Sequence, residues 1–406
     1  MKLLDYYKKL DDNYKAMFFI GQTYYIGSLI GGVFVNLFIY KYYGEISGVI
    51  TLNLMSYLFS ILSMFFYSTY ISKKGYSIKK LFKVWFIFST IAYIFLMLLD
   101  KSYVIFVFGF LFGLGNGAYW IAMHSYELNK INKNIRDFYS SITSVGNQIN
   151  SILIPFLISI LFLIGDLYLK ISAYPIIFGV LILFNFLSFL RVDKLKCIFP
   201  PKIKIGDIFS NFKKSELLQY IYFLFYGLSG NIIKINITLI MIYILKTELN
   251  IGLFQTFSGI LSIIISIFLS KKRNENNRLK IMTIFGFLIF INFIFLGFNL
   301  TIFGISVFLV LNNFLLPGFT ISARVFGMKY MKDINQDESN FFSRIVFREL
   351  ILIIGRVIFF LSVLFFIYYL KVDTYKMIVI LTFLSGFIYL FTLFFLYLEE
   401  KRLKNI

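Results

Sequence analysis

Long apolar segments recur along the chain and limit what it can fold into. Each is about as long as the ~20 residues with which a helix crosses ~30 Å of hydrocarbon. The composition agrees, because 59% of the 406 residues are hydrophobic and 15% are charged, whereas a soluble domain carries about 25% charged residues. The sequence therefore predicts an all-α protein that crosses a membrane many times.

The apolar segments predict twelve spans in two groups of six. The predicted spans of the first group lie at 16–40, 48–71, 81–99, 103–125, 139–164 and 171–190. Those of the second group lie at 217–245, 249–270, 281–298, 302–324, 342–369 and 374–398. We therefore expect an N-terminal six-helix bundle (1–190), a polar cytoplasmic central loop (191–216) and a C-terminal six-helix bundle (217–406).

The net charge of +20 comes from basic residues spread over the short segments between spans. The lead, the tail, the central loop and every second connecting loop are rich in lysine and arginine, whereas the alternate loops hold few. Because basic loops stay on the cytoplasmic side, both termini are expected in the cytoplasm. The chain is then a multi-pass protein of the cell (inner or plasma) membrane, and nucleic-acid binding is not expected.

Residues that carry enzyme or metal chemistry are rare. Cys197 is the single cysteine, so an intramolecular disulfide and a cysteine-based metal cluster are excluded. With one histidine and no His/Asp cluster in a long loop, the chain is not expected to be a membrane-embedded enzyme. No GxxxxGK[ST] loop is present, so ATP-driven transport by this chain alone is not predicted either. We expect no cofactor and no metal.

Two short patterns occur once in each half of the chain. The segment 70–74, after the second span, matches 268–272 after the eighth, since both end in Ser-Lys-Lys. The segment 138–142, at the start of the fifth span, matches 341–345 at the start of the eleventh. Matches at equivalent places indicate a duplicated six-helix unit, the parallel repeat of one large class of transporters.

The loop between the second and third spans resembles a motif of the major facilitator superfamily of secondary transporters. Residues 72–80 read Ser-Lys-Lys-Gly-Tyr-Ser-Ile-Lys-Lys. Gly75 and the basic residues fit the family's pattern of an acidic residue, a basic residue and a glycine, but Ser72 stands at the acidic position. Together with the six-plus-six plan and the long central loop, the resemblance covers nearly the whole chain.

Two further stretches resemble a little-characterised bacterial branch of this family. The first runs from Gly117–Trp120 to Arg136–Asp137, and the second from Arg348–Glu349 to Gly355–Arg356. The resemblance implies two pseudo-symmetric six-helix bundles. It also implies that spans one, four, seven and ten line a central cavity, with spans two, five, eight and eleven beside them.

Span four carries a polar stripe made of Asn116, Trp120, His124 and Glu127. These residues recur at i, i+4, i+8 and i+11 and therefore share one helix face. If that face lines the cavity, Asn116 and Trp120 contact substrate, and His124 and Glu127 take part in proton coupling or gating. The alternative is that Trp120 packs against neighbours and the other two cap the cytoplasmic end of the helix.

Span seven places Lys234 near the middle of the membrane, too deep to reach the surface comfortably. Lys234 and the nearby Asn231 are candidate substrate contacts, with the lysine attracting an anionic group. Gly227 and Gly230 suggest that the helix unwinds locally there. The alternative for Lys234 is a fixed ion pair with Glu349 or with another carboxylate.

Polar side chains in three more spans are candidate substrate contacts. They are Gln22 and Tyr25 in span one, Asn147 in span five and Asn313 in span ten. Amides inside a membrane either bind a ligand or bridge helices, a contact worth about 0.6 kcal/mol on average. Both interpretations stay open.

Span eleven holds Arg348, Glu349 and Arg356 within an apolar run. Each ionised group near the bilayer centre costs about 2.5–3.5 kcal/mol on insertion scales, so such groups pair with one another or face water. Arg356 is a candidate substrate contact, and Glu349 and Arg348 are candidates for proton coupling or gating. The alternative is a permanent clamp between Glu349 and an arginine.

The resemblance implies a secondary active transporter that moves a small solute by alternating access. Deep cationic groups facing one deep carboxylate favour an anionic or zwitterionic solute, and proton coupling stays open. The alternatives are a multidrug exporter of amphipathic compounds and a lipid or polysaccharide flippase. The expected partners are a small-molecule substrate, the lipid bilayer and, for coupled transport, H⁺; no nucleic acid is expected, and the chain is expected to be a monomer.

Overall fold

The computed structural model describes residues 11–98, 103–129, 133–165, 172–210, 212–245, 247–270, 278–332 and 338–404. Within these ranges the protein is helical and contains no strand. Hydrophobic side chains form most of the buried interior, and many others are exposed along the helices, as expected for surfaces that face lipid.

The first six long helices agree with the predicted spans to within a few residues. Helix α1 comprises Asp12–Ile30, a π-helical turn at Gly31–Val35, and Asn36–Tyr43. The others are α2 (Ile46–Lys74), α3 (Lys79–Leu98), α4 (Val104–Asn129), α5 (Lys133–Ile164) and α6 (Tyr174–Arg191). Helices α1 and α2 end where Gly44 and Gly75 adopt positive φ angles of 71° and 63°, a conformation that glycine adopts without strain.

The central segment contains a 3₁₀ turn at Val192–Lys194, a short helix at Ile205–Phe209 and a second 3₁₀ turn at Lys214–Glu216. Six more long helices follow. They are α7 (Leu217–Leu245), α8 (Glu248–Ser270), α9 (Arg278–Phe298), α10 (Ile302–Lys332), α11 (Glu338–Tyr368) and α12 (Thr374–Lys404). Among the described residues, eight helices are long and apolar enough to cross a membrane, and α9 and α10 contain shorter apolar stretches.

The helices form two compact units. The first reaches to Phe209 and includes Glu338–Val346, and the second comprises the rest of the chain. In the first unit, α2 packs on α4, α3 packs on α4 and α6, and α1 packs on α6. In the second unit, α8 packs on α10, α9 packs on α10 and α12, and α7 packs on α12. These neighbours correspond between the two units, as pseudo-symmetric bundles predict.

Small residues allow α2 and α4 to approach closely. A Cβ atom on Gly113 would lie 2.5 Å from the carbonyl oxygen of Ser56. The hydroxyl groups of Ser60 and Ser63 also donate to the carbonyl oxygen of Gly113, at 3.1 and 3.4 Å. Glycine and serine serve this purpose in membrane interfaces because they bring two backbones into contact.

The expectation that α7 unwinds at Gly227 and Gly230 is wrong. Helix α7 is continuous from Leu217 to Leu245. A Cβ atom on Gly227 would collide with the carbonyl oxygen of Leu352, and one on Gly355 would collide with that of Leu224. Gly227 is therefore explained by close packing of α7 against α11 rather than by a break in the helix.

Candidate functional site

The face of α4 that the sequence singled out meets an aromatic side chain from α1. Tyr24 donates its hydroxyl hydrogen to Asn116 Oδ1 at 2.8 Å. Its ring lies parallel to that of Tyr119, with 3.7 Å between centroids and 4° between planes. One side chain of α1 is thus held against α4 by a hydrogen bond and a stacked ring.

Trp120 and His124 extend this contact along α4. The edge of one ring of the Tyr24–Trp120 pair meets the face of the other, with 5.3 Å between centroids. Trp120 stacks on His124 at 5.2 Å and 24°. The side chains of Tyr24, Trp120 and His124 are all half-buried, so each keeps some accessible surface.

Two fully buried rings support this group from behind. Trp85 of α3 and Tyr119 of α4 are each 2% exposed. The ring of Trp85 lies 5.4 Å from that of Tyr24 and 5.3 Å from that of Tyr119. We call Tyr24, Trp85, Asn116, Tyr119, Trp120 and His124 the aromatic cluster. Trp85, Asn116 and Tyr119 are buried, whereas Tyr24, Trp120 and His124 are half-buried.

Gln22 faces α5 rather than α4. Its Nε2 donates to Asn147 Oδ1 at 3.1 Å and to the carbonyl oxygen of Thr143 at 3.5 Å, and its Oε1 accepts from Asn150 Nδ2 at 2.8 Å. A Cβ atom on Gly146 would lie within 3.0 Å of three atoms of Gln22. The amide of Gln22 therefore links α1 to α5 by hydrogen bonds, and Asn147 accepts one of them.

Two other residues predicted to contact substrate make no hydrogen bond to another helix among the described residues. Tyr25 is half-buried on α1. Asn313 is half-buried on α10 and donates to the carbonyl oxygen of Leu309 in its own helix, at 2.9 Å. The structure does not bring either residue into the aromatic cluster.

Helix α11 contains a compact ion pair. Arg348 Nη2 and Nε both donate to Glu349 Oε1, at 2.5 and 3.2 Å. The side chains are 15% and 8% exposed, so the pair is largely removed from solvent. Arg356 is half-buried further along the same helix.

The side chains of Glu127, Asn231 and Lys234 lie outside the described part of the structure. Predictions about these residues remain predictions. Among the residues that are described, no three His, Cys, Asp or Glu side chains are close enough together to hold a metal ion.

Sequence reasoning missed Tyr24, Trp85 and Tyr119 as members of the cluster. For Tyr24 the available signal was the hydroxyl group of tyrosine, which usually needs a hydrogen-bond partner when it is buried. Tyr24 lies next to the predicted Tyr25, and Tyr119 next to the predicted Trp120. The choice between adjacent residues depends on how each helix is rotated about its axis.

The sequence matches the family model described as Major Facilitator Superfamily over residues 16–336. No match was found among curated proteins. The match to the family model covers well over half of the chain and includes the aromatic cluster.

Several solved transporter structures are similar to this chain along almost its whole length. The human organic anion transporter MFSD10 (TETRAN) gives a TM-score of 0.66 at 10% identity, covering 95% of this chain and 99% of that one. The nucleoside transporter NupG gives 0.63 at 12%, covering 95% and 99%. The D-xylose-proton symporter gives 0.62 at 12%, covering 95% and 97%. At such low identity these likenesses show the fold.

Proposed function

Because this membrane transporter belongs to the Major Facilitator Superfamily, we propose that it is a secondary transporter of a small organic solute. Transport proceeds by alternating access, in which two six-helix halves move relative to each other. The energy comes from a solute or ion gradient. The chain is proposed to function as a monomer in the cell membrane with both termini in the cytoplasm, as its charge distribution favours.

The aromatic cluster is the observation that carries this proposal. The half-buried rings of Tyr24 and Trp120 are in contact, His124 stacks on Trp120, and Tyr24 is bonded to the amide of Asn116. Asn116 Oδ1 accepts from Tyr24 at 2.8 Å, and Asn116 Nδ2 makes no hydrogen bond among the described residues. The faces of the rings can pack against a flat or apolar part of a solute, and the Nδ2 group of Asn116 can donate to a hydrogen-bond acceptor on it.

An anionic or zwitterionic group on the solute is favoured by charge. In the second unit, Arg348 pairs with Glu349 at 2.5 Å, and Arg356 is half-buried on the same helix. The sequence position of Lys234 favours the same sign. Proton coupling through Glu349 belongs to this proposal, and a permanent Arg348–Glu349 clamp is the alternative.

A second candidate function is export of amphipathic compounds. The specific observation in its favour is the aromatic character of the cluster, since rings bind apolar and cationic compounds as well as flat anions. The two candidates differ in charge preference, which a binding screen distinguishes directly.

The intrinsic fluorescence of the protein tests the proposed site. The chain has two tryptophans, and both belong to the aromatic cluster. In a Trp85→Phe variant, the emission of Trp120 alone reports binding. Anions, zwitterions, sugars, nucleosides and lipophilic cations are each titrated against the purified variant in detergent.

We expect one class to change Trp120 emission in a saturable manner, and Asn116→Ala to weaken that binding about tenfold through loss of one hydrogen bond. Phe106→Leu is the matched control, because Phe106 lies on the same helix and is 51% exposed. Saturable binding that neither changes Trp120 emission nor depends on Asn116 would contradict the proposed site. Saturable binding of lipophilic cations alone would favour the exporter.

A further inference from the structure

Much of the central segment packs against helices of the N-terminal half. We call residues 195–209 the central strap. Ser72, at the end of α2, donates its hydroxyl hydrogen to the carbonyl oxygen of Pro201 at 2.7 Å and accepts from the backbone nitrogen of Ile203 at 2.6 Å. The backbone nitrogen of Ile78 donates to the carbonyl oxygen of Ile198 at 2.8 Å.

Burial and ion pairs hold the same segment in place. Its inward side chains are almost fully buried: Leu195, Ile198, Ile203 and Ile208. Lys196 pairs with Asp11 at 2.9 Å, and just before the strap Asp193 pairs with Lys83 at 2.7 Å. The strap therefore has a defined inner face and, as a consequence, a defined outer face.

The outer face of the strap is both apolar and basic. Phe199, Ile205 and Phe209 are 64%, 53% and 50% exposed. Lys202 and Lys204 are exposed beside them. Asp207, also exposed, uses its Oδ2 atom to accept from the backbone nitrogen of Lys204 at 2.7 Å. Large exposed apolar side chains interleaved with lysines are typical of a surface that meets the headgroup region of a bilayer.

The strap surface continues into the side of α2 that faces lipid. Phe209 stacks on Phe65 of α2 at 5.8 Å. Nearby on the same helix, Leu62, Phe66 and Tyr70 are exposed. The first turn of α3 adds an ammonium group, since Lys80 Nζ lies 3.4 Å from the centre of the Tyr76 ring. Apolar, aromatic and basic groups thus follow one another from the membrane side of α2 to the strap.

We propose that Phe199, Lys202, Lys204, Ile205 and Phe209 form a docking surface for the anionic phospholipids of the adjoining leaflet. The apolar side chains enter the boundary between headgroups and acyl chains, and the lysines lie against the phosphates. Anionic lipid attracts basic residues at this depth. A soluble phosphate would use the lysines alone and would give no role to three large exposed apolar side chains.

Native mass spectrometry of the purified full-length protein tests the proposal. The protein is exchanged into detergent containing equal amounts of dioleoyl-phosphatidylglycerol and dioleoyl-phosphatidylcholine, and retained lipid is counted. The variant Lys202→Gln/Lys204→Gln removes both strap lysines. The control is Lys371→Gln/Lys376→Gln, which removes two exposed lysines that follow α11 in the sequence. A third variant, Phe199→Ser, removes the most exposed ring.

We expect phosphatidylglycerol to be retained in several-fold preference to phosphatidylcholine. The preference should fall by at least half in the strap variant and stay unchanged in the control. Phe199→Ser should lower retention of phosphatidylglycerol without removing the preference. Equal retention of the two lipids, an unchanged preference in the strap variant, or full competition by millimolar inorganic phosphate would overturn the proposal. None of these outcomes depends on which solute is transported.

Discussion

At the residue scale, the Arg348–Glu349 pair determines how α11 can keep ionised groups inside an apolar helix. Adjacent helical residues point in directions about 100° apart, so the arginine must fold back to reach its neighbour. It does so with two nitrogen atoms on one oxygen, at 2.5 and 3.2 Å. Charge-assisted pairs of this kind offset part of the cost of burying each charge.

Replacing Glu349 with Gln distinguishes a proton carrier from a structural clamp. Gln keeps a carbonyl oxygen for Arg348 but cannot take up or release a proton. If Glu349 carries the coupled proton, we expect exchange of solute between equal pools to continue, while accumulation driven by a pH gradient falls at least tenfold. Both rates are measured in proteoliposomes with a radiolabelled solute.

The matched control is Asp373→Asn, an exposed carboxylate at the start of α12. It should change neither rate. Accumulation that is unaffected by Glu349→Gln would remove Glu349 from coupling, and loss of the folded protein would assign it to the clamp.

Helical spacing predicts which residues share one face of a helix, but it does not predict which residue of another helix contacts that face. The face formed by Asn116, Trp120 and His124 follows from helical spacing alone, and the structure does place Trp120 and His124 in contact. The partner of that face does not follow from spacing, because it depends on how α1 is turned about its axis. Tyr24, rather than Tyr25, donates to Asn116 for that reason.

At the scale of elements, the central strap shows how Ser72 acts in a loop motif whose usual residue is acidic. A hydroxyl group both donates and accepts, and Ser72 uses both functions on the backbone of the strap, at Pro201 and Ile203. A carboxylate could only accept. The end of α2 and the strap are therefore joined by a bond to Pro201 that the acidic form of the motif could not donate.

Ser72→Ala should loosen the strap. The substitution leaves the buried backbone nitrogen of Ile203 without its acceptor, at a cost of about 1–3 kcal/mol. We expect trypsin to cleave after Lys202 and Lys204 about tenfold faster. A loss of roughly 1.4 kcal/mol raises the population of the locally opened strap, which trypsin cleaves, about tenfold. Cleavage is followed by mass spectrometry of the native protein.

The control is Ser68→Ala on the same helix. Ser68 is equally buried, but its hydroxyl donates to the carbonyl oxygen of Phe65 within α2, at 3.2 Å. Similar cleavage rates in the two variants would mean that Ser72 does not hold the strap.

The helices themselves were predictable because an apolar run of a given length leaves few other structures available in a membrane. The predicted span 217–245 coincides with α7, and the span 302–324 shares its first residue with α10. The structural role of Gly227 could not be predicted in the same way. A glycine in a membrane helix permits either a break or a close approach, and the packing of Leu352 against Gly227 decides for the second.

At the scale of the whole molecule, the sequence repeats short patterns at half its length, and several pairs of corresponding helices pack alike in the two units. The Ser-Lys-Lys segments recur in the two halves of the sequence, and the packing of α2 on α4 recurs as that of α8 on α10. The aromatic cluster belongs to the first unit and the Arg348–Glu349 pair to the second.

Solute counterflow in proteoliposomes is the most direct test of a transporter whose solute binds at the aromatic cluster. Vesicles loaded with the unlabelled solute identified by Trp120 fluorescence are diluted into its radiolabelled form. We predict transient accumulation of label by the native protein, an at least tenfold lower rate for Trp120→Ala, and an unchanged rate for Phe106→Ala. Binding without any counterflow, or full counterflow by Trp120→Ala, would contradict this account.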